Sequence, residues 1–401
     1  MLDFFLYSTV KLWGGSSPDS IKMCFPVWGS WQQDDSPVLL PISDRGKWGF
    51  INTLGQVVID ARFDSVLPFS GGLAAFKSSG KWGFIDSNGN IRIEARFNGV
   101  RSFSEDRAPV VFFEGRAATA IGKWGFIDPE GNLIVEPRFT AVRHFSEGRA
   151  AVGSSGIWGF VNKDGLPISG MNFSNVGDFS EGLAAFHNGD QRGFLNLNGE
   201  VAIELDRGMN IYAESKLFRN GLSPVYVSNS FRKLWQLIRS GRSRDTWGYI
   251  DYEGNLAIQA LYDYAAPFSE CFATIKQGEK YGVINVSGEI VAQPIFDEVG
   301  FFAEGRAAVR IDTSYGYIDS SGDVVIGPVF EKVHPFSGGL GAVRVAGLSK
   351  WGFIDPAGNM TIAPRFDIVS GFGSNGVSRV EVNGTWGYID RTGRFIWRSK
   401  E

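Results

Sequence analysis

From residue 38 onward, apolar and polar positions alternate in short runs, and each run ends at a glycine-bearing turn. In Lys-Trp-Gly-Phe-Ile-Asp (residues 81–86), Trp82, Phe84 and Asp86 fall on one side, with Gly83 and Ile85 on the other. This is the two-residue period of a β-strand. An apolar run (Leu73 to Phe76) and a Ser-Ser-Gly turn precede it. Asp-Ser-Asn-Gly follows, then Ile-Arg-Ile-Glu-Ala-Arg-Phe, which carries Ile91 and Ile93. Asp or Asn opens such a turn through its side-chain oxygen, and Gly takes the left-handed position. The pattern predicts a hairpin of strands b and c, with strand a before it. A return segment of the form Phe-Asp-x-Val-x-x-Phe-Ser-Glu-Gly then leads to the next strand a, bringing a Val and a Phe to be buried between units.

The unit repeats. Trp-Gly pairs stand at Trp48, Trp82, Trp124, Trp158, Trp247, Trp351 and Trp386, with degenerate copies at Arg192, Tyr281 and Tyr315. The intervals are 34, 42, 34, 34, 55, 34, 34, 36 and 35 residues. Fifteen positions after the anchor comes an aromatic (Phe63, Phe97, Phe139, Phe173, Tyr262, Phe296, Phe330, Phe366), and twenty-one positions after it comes Phe. The fifth unit breaks this register, and Phe218 restores it after five extra residues. Buried Trp and Phe each remove ~150–250 Å² from water, and Gly after Trp leaves room for a close neighbour. A single three-stranded unit cannot cover its own apolar face, so units must stack.

The fold class expected is all-β: a tandem array of about ten three-stranded antiparallel units. Ten exceeds the usual four to eight propeller blades. The array also begins on strand a (Pro37 to Ser43) and ends on strand c (Arg394 to Trp397), with no split unit to close a ring. An open β-solenoid or superhelix is therefore the first expectation, with a β-propeller of one or two rings as the alternative. Open arrays need caps, and residues 1–37, with Phe25, Trp28 and Trp31, are the candidate. The organisation reads as a non-repeat segment (1–37), units one to five (38–204), an irregular region with a basic insertion (205–245), and units six to ten (246–401).

The run KWGFIDSNGNIRIEARF followed by VRSFSE resembles the bacterial WG-repeat family, over roughly residues 38–397. That resemblance implies a repeat module and carries over no catalytic residues. The chain departs from the pattern at QRGFLNLNG, which lacks Trp, and at Tyr281 and Tyr315.

Composition narrows the function. The 52 glycines and 14% aromatic residues suit many short strands and tight turns. A net charge of −4 argues against nucleic-acid binding. The two cysteines, Cys24 and Cys271, form no disulfide framework and no metal-binding pair pattern. No stretch reaches the ~18 apolar residues of a membrane span. The N-terminus carries Asp3 where an export signal would carry positive charge, and no convincing lipobox surrounds Cys24. A cytoplasmic monomer without cofactor or metal is expected.

Insertions cluster between strands a and b, at residues 114–121, within the 55-residue interval, and in Val345 to Lys350. Loops on one edge of an array are common binding surfaces. The largest insertion carries Arg232, Lys233, Trp235, Arg239, Arg242 and Arg244. Phe231, Leu234, Trp235 and Ile238 within it have helical spacing. It is a candidate docking element for an acidic protein partner. The plainer and favoured reading is that its apolar side packs on the array while its charges are solvated. His144, His187 and His334 show no ligand spacing. The Asp ending strand b in six units is Asn in four (Asn52, Asn162, Asn196, Asn285), which suits turn capping and spoils acid–base chemistry. The Glu of the return loop (Glu105, Glu147, Glu181, Glu270, Glu304) reads first as a solvated edge. The function expected is a non-catalytic scaffold for protein or peptide partners. A carbohydrate- or envelope-binding module is the alternative, and an enzyme is the weakest reading.

Overall fold

The structure is a computed structural model that describes residues 38–113, 122–211, 217–228 and 246–399. Among them are thirty-seven strands and no helix. The return segment, read above as a loop, supplies a short fourth strand, d. Unit two is typical. Its sheet runs in the order d (Ser65–Val66), a (Ala74–Ser78), b (Lys81–Ile85), c (Ile91–Phe97), all antiparallel. Among the described residues, unit one has three strands. In unit four, isolated bridges from Trp158 to Phe173 and from Val161 to Pro167 stand in for strand c. One strand, Val324–Val333, serves as strand c of unit eight and strand d of unit nine, joining the two into a seven-stranded sheet.

Strand b is buried on both faces because each sheet stacks between two others. Phe84 packs with Ile93 and Phe97 of its own unit and with Phe103, Val110 and Ile127 of unit three. Ile85, on the opposite face, packs with Phe50, Ile59 and Phe63 of unit one. The same positions recur at every junction, so the core is a series of apolar layers rather than one centre. Each aromatic at strand b meets the Phe of the next return loop edge-on or tilted: Phe50 with Phe69, Phe84 with Phe103, Phe126 with Phe145, Phe160 with Phe179.

The Gly of the Trp-Gly pair has a specific cause. Between Trp82↔Phe97 and Phe84↔Ile93, strand b advances two residues while strand c advances four. The resulting bulge sets the Ile93 carbonyl over Gly83, where a Cβ would collide with it. The same bulge sets a strand-c carbonyl over Gly49, Gly125, Gly248, Gly282, Gly316 and Gly352, and Gly193 and Gly387 face such a carbonyl without a register shift at the glycine. A bulge pinned by Gly adds local twist to the sheets that carry it.

The two ends of the array meet. Ile42 and Ile51 of unit one form one core cluster with Val377 and Tyr388 of unit ten. The Tyr388 hydroxyl donates to the Pro41 carbonyl at 2.9 Å, and the Trp48 and Trp386 rings stack at 6.2 Å. Gly55 lies directly against the Ile396 backbone. Tyr388 occupies the strand-b position of Phe84, and Ile51 that of Ile85, so this tenth junction uses the residues of the other nine. The open solenoid placed first is therefore corrected to the alternative, a single closed ring of ten units. At open ends, Tyr388 on one side and Ile42 with Ile51 on the other would face water. Closure buries both, without the cap assigned to residues 1–37, which lie outside the described residues.

Candidate binding surfaces

The ring has two end faces. The d–a loops and the b–c turns lie on the first, and the a–b hairpins lie on the second. On the first face, the b–c turns are Asx turns. Asp86 Oδ1 accepts the N–H groups of Asn88 at 3.0 Å and Asn90 at 2.9 Å, and Asn52 Oδ1 does the same for Leu54 and Gln56 at 3.0 Å each. Asp and Asn are interchangeable here because both backbone N–H groups of the turn bond one oxygen, Oδ1, and the recurring acid is a turn former. Burial pushes the Asp86 carboxyl up, but hydrogen bonds from Asn90 and Asn88 outweigh it, and its pKa is lowered. At Asp355 the hydrogen bond from the Asn359 side chain is the leading cause of the same shift.

The d–a loops join neighbouring units. Ser70 Oγ donates to the Phe103 carbonyl at 2.7 Å, Ser104 to Phe145 at 2.9 Å, Ser146 to Phe179 at 2.8 Å and Ser180 to Phe218 at 2.9 Å. The Glu carboxylates reach the same loops. Glu105 accepts the N–H groups of Glu147 and Gly148 at 2.7 Å each, and Glu181 those of Asn220 and Gly221 at 2.8 and 2.9 Å. Glu270 binds the loop of unit eight at 2.8 Å, and Glu304 that of unit nine at 2.8 and 2.9 Å. Each receiving loop has two successive left-handed residues, for example Glu147 (φ 52°) and Gly148 (φ 76°). Such a pair forms a nest of N–H groups suited to an anion. The acidic line expected as a solvated edge is therefore a set of clasps between units. Its sequence signal was Ser-Glu-Gly at the unit period, legible only once the loops are known to be adjacent.

On the second face, half-buried Trp rings lie beneath cations. Arg101 covers Trp124 at 4.9 Å, Arg143 covers Trp158 at 5.4 Å, and Arg379 covers Trp386 at 4.6 Å. Trp351 is buried, and the His334 ring packs on it at 4.4 Å. Burial lowers the His334 pKa, and that of His144. His187 Nδ1 lies 3.1 Å from Ser174 Oγ. The three histidines sit in three different units, and no group of metal-ligating side chains occurs among the described residues.

The basic candidates Arg232, Lys233, Trp235, Arg239, Arg242 and Arg244 lie outside the described residues. Their point of departure is described. Val227 pairs with Thr246 at the end of strands a and b, so the insertion leaves from the second face. Phe113 pairs with Gly122 around the insertion 114–121 in the same way.

At the c edge, a third inter-unit contact recurs. Arg62 Nη2 donates to the Gly89 carbonyl of the next unit at 2.7 Å, Arg96 to Gly131 at 2.6 Å, and Arg365 to Gly393. Unit five supplies no such Arg: its strand c ends at Glu204, the Leu205 N–H bonds the Arg192 carbonyl at 2.9 Å, and a cleft of about 390 Å³ lies between units five and six.

Fold and surfaces together define a closed toroidal β-repeat protein whose end faces and rim are its accessible features. The model of the WG containing repeat matches eight segments: 48–82, 82–112, 124–153, 158–190, 247–281, 281–312, 315–348 and 351–386. The chain belongs to that family. No curated protein matches by sequence. Among solved structures, a eukaryotic initiation factor is similar at 13% identity and a TM-score of 0.51, covering 90% of this chain and 96% of that one. A streptogramin B lyase aligns over 88% of this chain and 96% of its own at 12% identity, with a TM-score of 0.27. The first likeness is one of fold alone, and the second carries no argument.

Proposed function

We propose that this protein is a non-catalytic ring that holds protein or peptide segments. The observation that carries the reading is the placement of the insertions. The segments 114–121 and 229–245 and the Val345–Lys350 turn all leave from a–b hairpins, so three of the chain's insertions share one end face, while the five extra residues before Phe218 lie in a d–a loop on the other. The opposite face is committed to turn capping and clasps, which suits a structural role there and a recognition role on the second face. The basic insertion gives that face a positive element in a chain of net charge −4, which fits an acidic partner.

The test is proximity crosslinking in the native host, comparing wild type with Arg239→Glu plus Arg242→Glu. Loss of specific crosslinked partners supports the reading. An unchanged partner set removes the insertion as the docking element. The carbohydrate alternative needs flat aromatic faces open in a row. It is disfavoured because the Trp rings are half-buried and cation-covered.

A further inference from the structure

One junction of the ring departs from the clasp scheme on both of its sides. In the d–a loops of units two, four, five, six, eight, nine and ten, the second loop position is a left-handed Gly, from Gly72 to Gly376, with φ between 71° and 82°. Unit seven has Cys271 there, half-buried, at φ 70°. A Cβ is disfavoured in that backbone conformation, and Cys lacks the side-chain oxygen with which Asp106 of unit three bonds locally. The preceding loop changes as well. Where Glu105, Glu147, Glu181, Glu270 and Glu304 reach forward to the next loop, unit six has Asn220, whose Nδ2 donates to Cys271 Sγ at 3.7 Å.

The Cys271 sulfur is part of a disulfide, not a thiol. The chain has two cysteines, so its partner within the chain is Cys24, which lies outside the described residues. The connection is within reach. Sixteen positions separate Cys24 from Leu40, and extended chain covers roughly 3.3–3.6 Å per residue, about 50 Å in all. Leu40 begins strand a of unit one, at its first-face end, and Cys271 lies in a first-face loop. Unit seven is four junctions from unit one by way of the seam, roughly 40 Å at the ~10 Å spacing of packed sheets.

We infer that a Cys24–Cys271 disulfide fastens the N-terminal segment to the first end face at unit seven, and that the protein acquires it in an oxidising compartment. Forming the bond takes two protons and two electrons from the two thiols. One thiolate attacks the disulfide of a protein thiol oxidant, and the second displaces that oxidant from the mixed disulfide. The oxidant leaves as a dithiol carrying both electrons and both protons. Such bridges are rare in the reducing cytosol, so the inference replaces the cytoplasmic expectation. It goes beyond the scaffold reading and leaves the second face open, since the bridge, like the clasps, belongs to the first.

The experiment is peptide mapping of the full chain from its native host. Cells are lysed into N-ethylmaleimide to trap free thiols, and the protein is digested with trypsin without reduction. Cleavage after Lys and Arg places Cys24 in residues 23–45 and Cys271 in residues 245–276. The expected result is the joined mass of these two peptides, from a chain that migrates as a monomer without reductant. That mass is lost on reduction, and neither cysteine carries maleimide before it. The melting temperature of wild type should fall when reductant is added, and that of Cys24→Ser, which changes none of the residues that build the ring, should not respond. Maleimide on both cysteines of the freshly trapped chain would overturn the bridge. Residues 245–276 joined to a second copy of 245–276 would overturn the tether in favour of a disulfide between two chains.

Discussion

The junction between units four and five and the seam between units ten and one bury the same positions by different means. At the first, Phe160 packs with Phe179, Phe186 and Leu195, Ser146 Oγ bonds the Phe179 carbonyl, and Glu147 bonds Gly182 at 2.8 Å. The seam has the apolar layer and the Tyr388–Pro41 hydrogen bond, reinforced by Trp48, Trp386 and Trp397, but no loop clasp among the described residues. The difference teaches that the apolar layer, with the one Tyr388–Pro41 hydrogen bond, closes the ring without loop clasps, whereas elsewhere the clasps add hydrogen bonding to a contact already made.

The sharpest way to break this comparison is at the apolar layer. Phe160→Ala removes a fully buried ring and should cost about 3–5 kcal/mol in chemical denaturation. Tyr388→Ala, at a position 7% exposed, should cost about as much or slightly less. Hydrogen exchange separates the two, because damage in a repeat array stays near its site. Tyr388→Ala should raise exchange in 40–51 and 385–398 and leave 183–196 unchanged. Equal exchange at both regions would mean that the ring unfolds as one cooperative body.

The clasps come next. Glu181 accepts two backbone N–H groups and the Tyr252 hydroxyl at 2.8 Å. Burial, with this hydrogen bond second, pushes the Tyr252 pKa well up. Glu181→Ala should cost about 1–3 kcal/mol. A clasp can also be added. Unit two has Gly71 (φ 59°) where other units carry a left-handed Glu, and its Cβ position would sit 3.3 Å from Phe103 Cβ. Gly71→Glu should bind the N–H groups of Glu105 and Asp106 and stabilise by up to about 1 kcal/mol. A lower melting temperature would mean that the Phe103 contact does not yield.

The smallest effect is with acid. Asp64, Asp297 and Asp367 are held below the usual carboxylate range, chiefly by hydrogen bonds from Lys47, Lys280 and Lys350. A depressed folded-state pKa means that the unfolded chain binds protons first. This stability is complete above the unfolded value of about 3.9 and is lost as pH falls through the folded values. His334, lowered by burial, adds a decline that begins below its unfolded value of about 6.5. A melting temperature that falls only below about pH 4 would show that the histidine contributes nothing.

Much of this was legible in the chain. Strand b followed from the alternation in Lys81–Asp86, the Asx turns from Asp or Asn five residues before the next strand, and the inter-unit layers from Phe at a constant offset. The need for Gly after Trp was legible, but its cause, a bulge in strand c, was not. Bulges depend on the pairing partner, and the b–c register becomes visible only when Trp82 is seen opposite Phe97. The clasps were misread because a Glu in a polar loop looks solvated until the neighbouring loop's N–H groups are in place.

The sequence by itself determined the unit, its number and the residues that each junction buries, because these are local consequences of side-chain period and turn chemistry. Whether ten units make a ring or a helix was decided only in three dimensions. The rotation from one sheet to the next is set by how the side chains of two neighbouring units interlock in each apolar layer. A small change in that rotation, multiplied over ten junctions, separates Tyr388 meeting Ile42 from the two never touching.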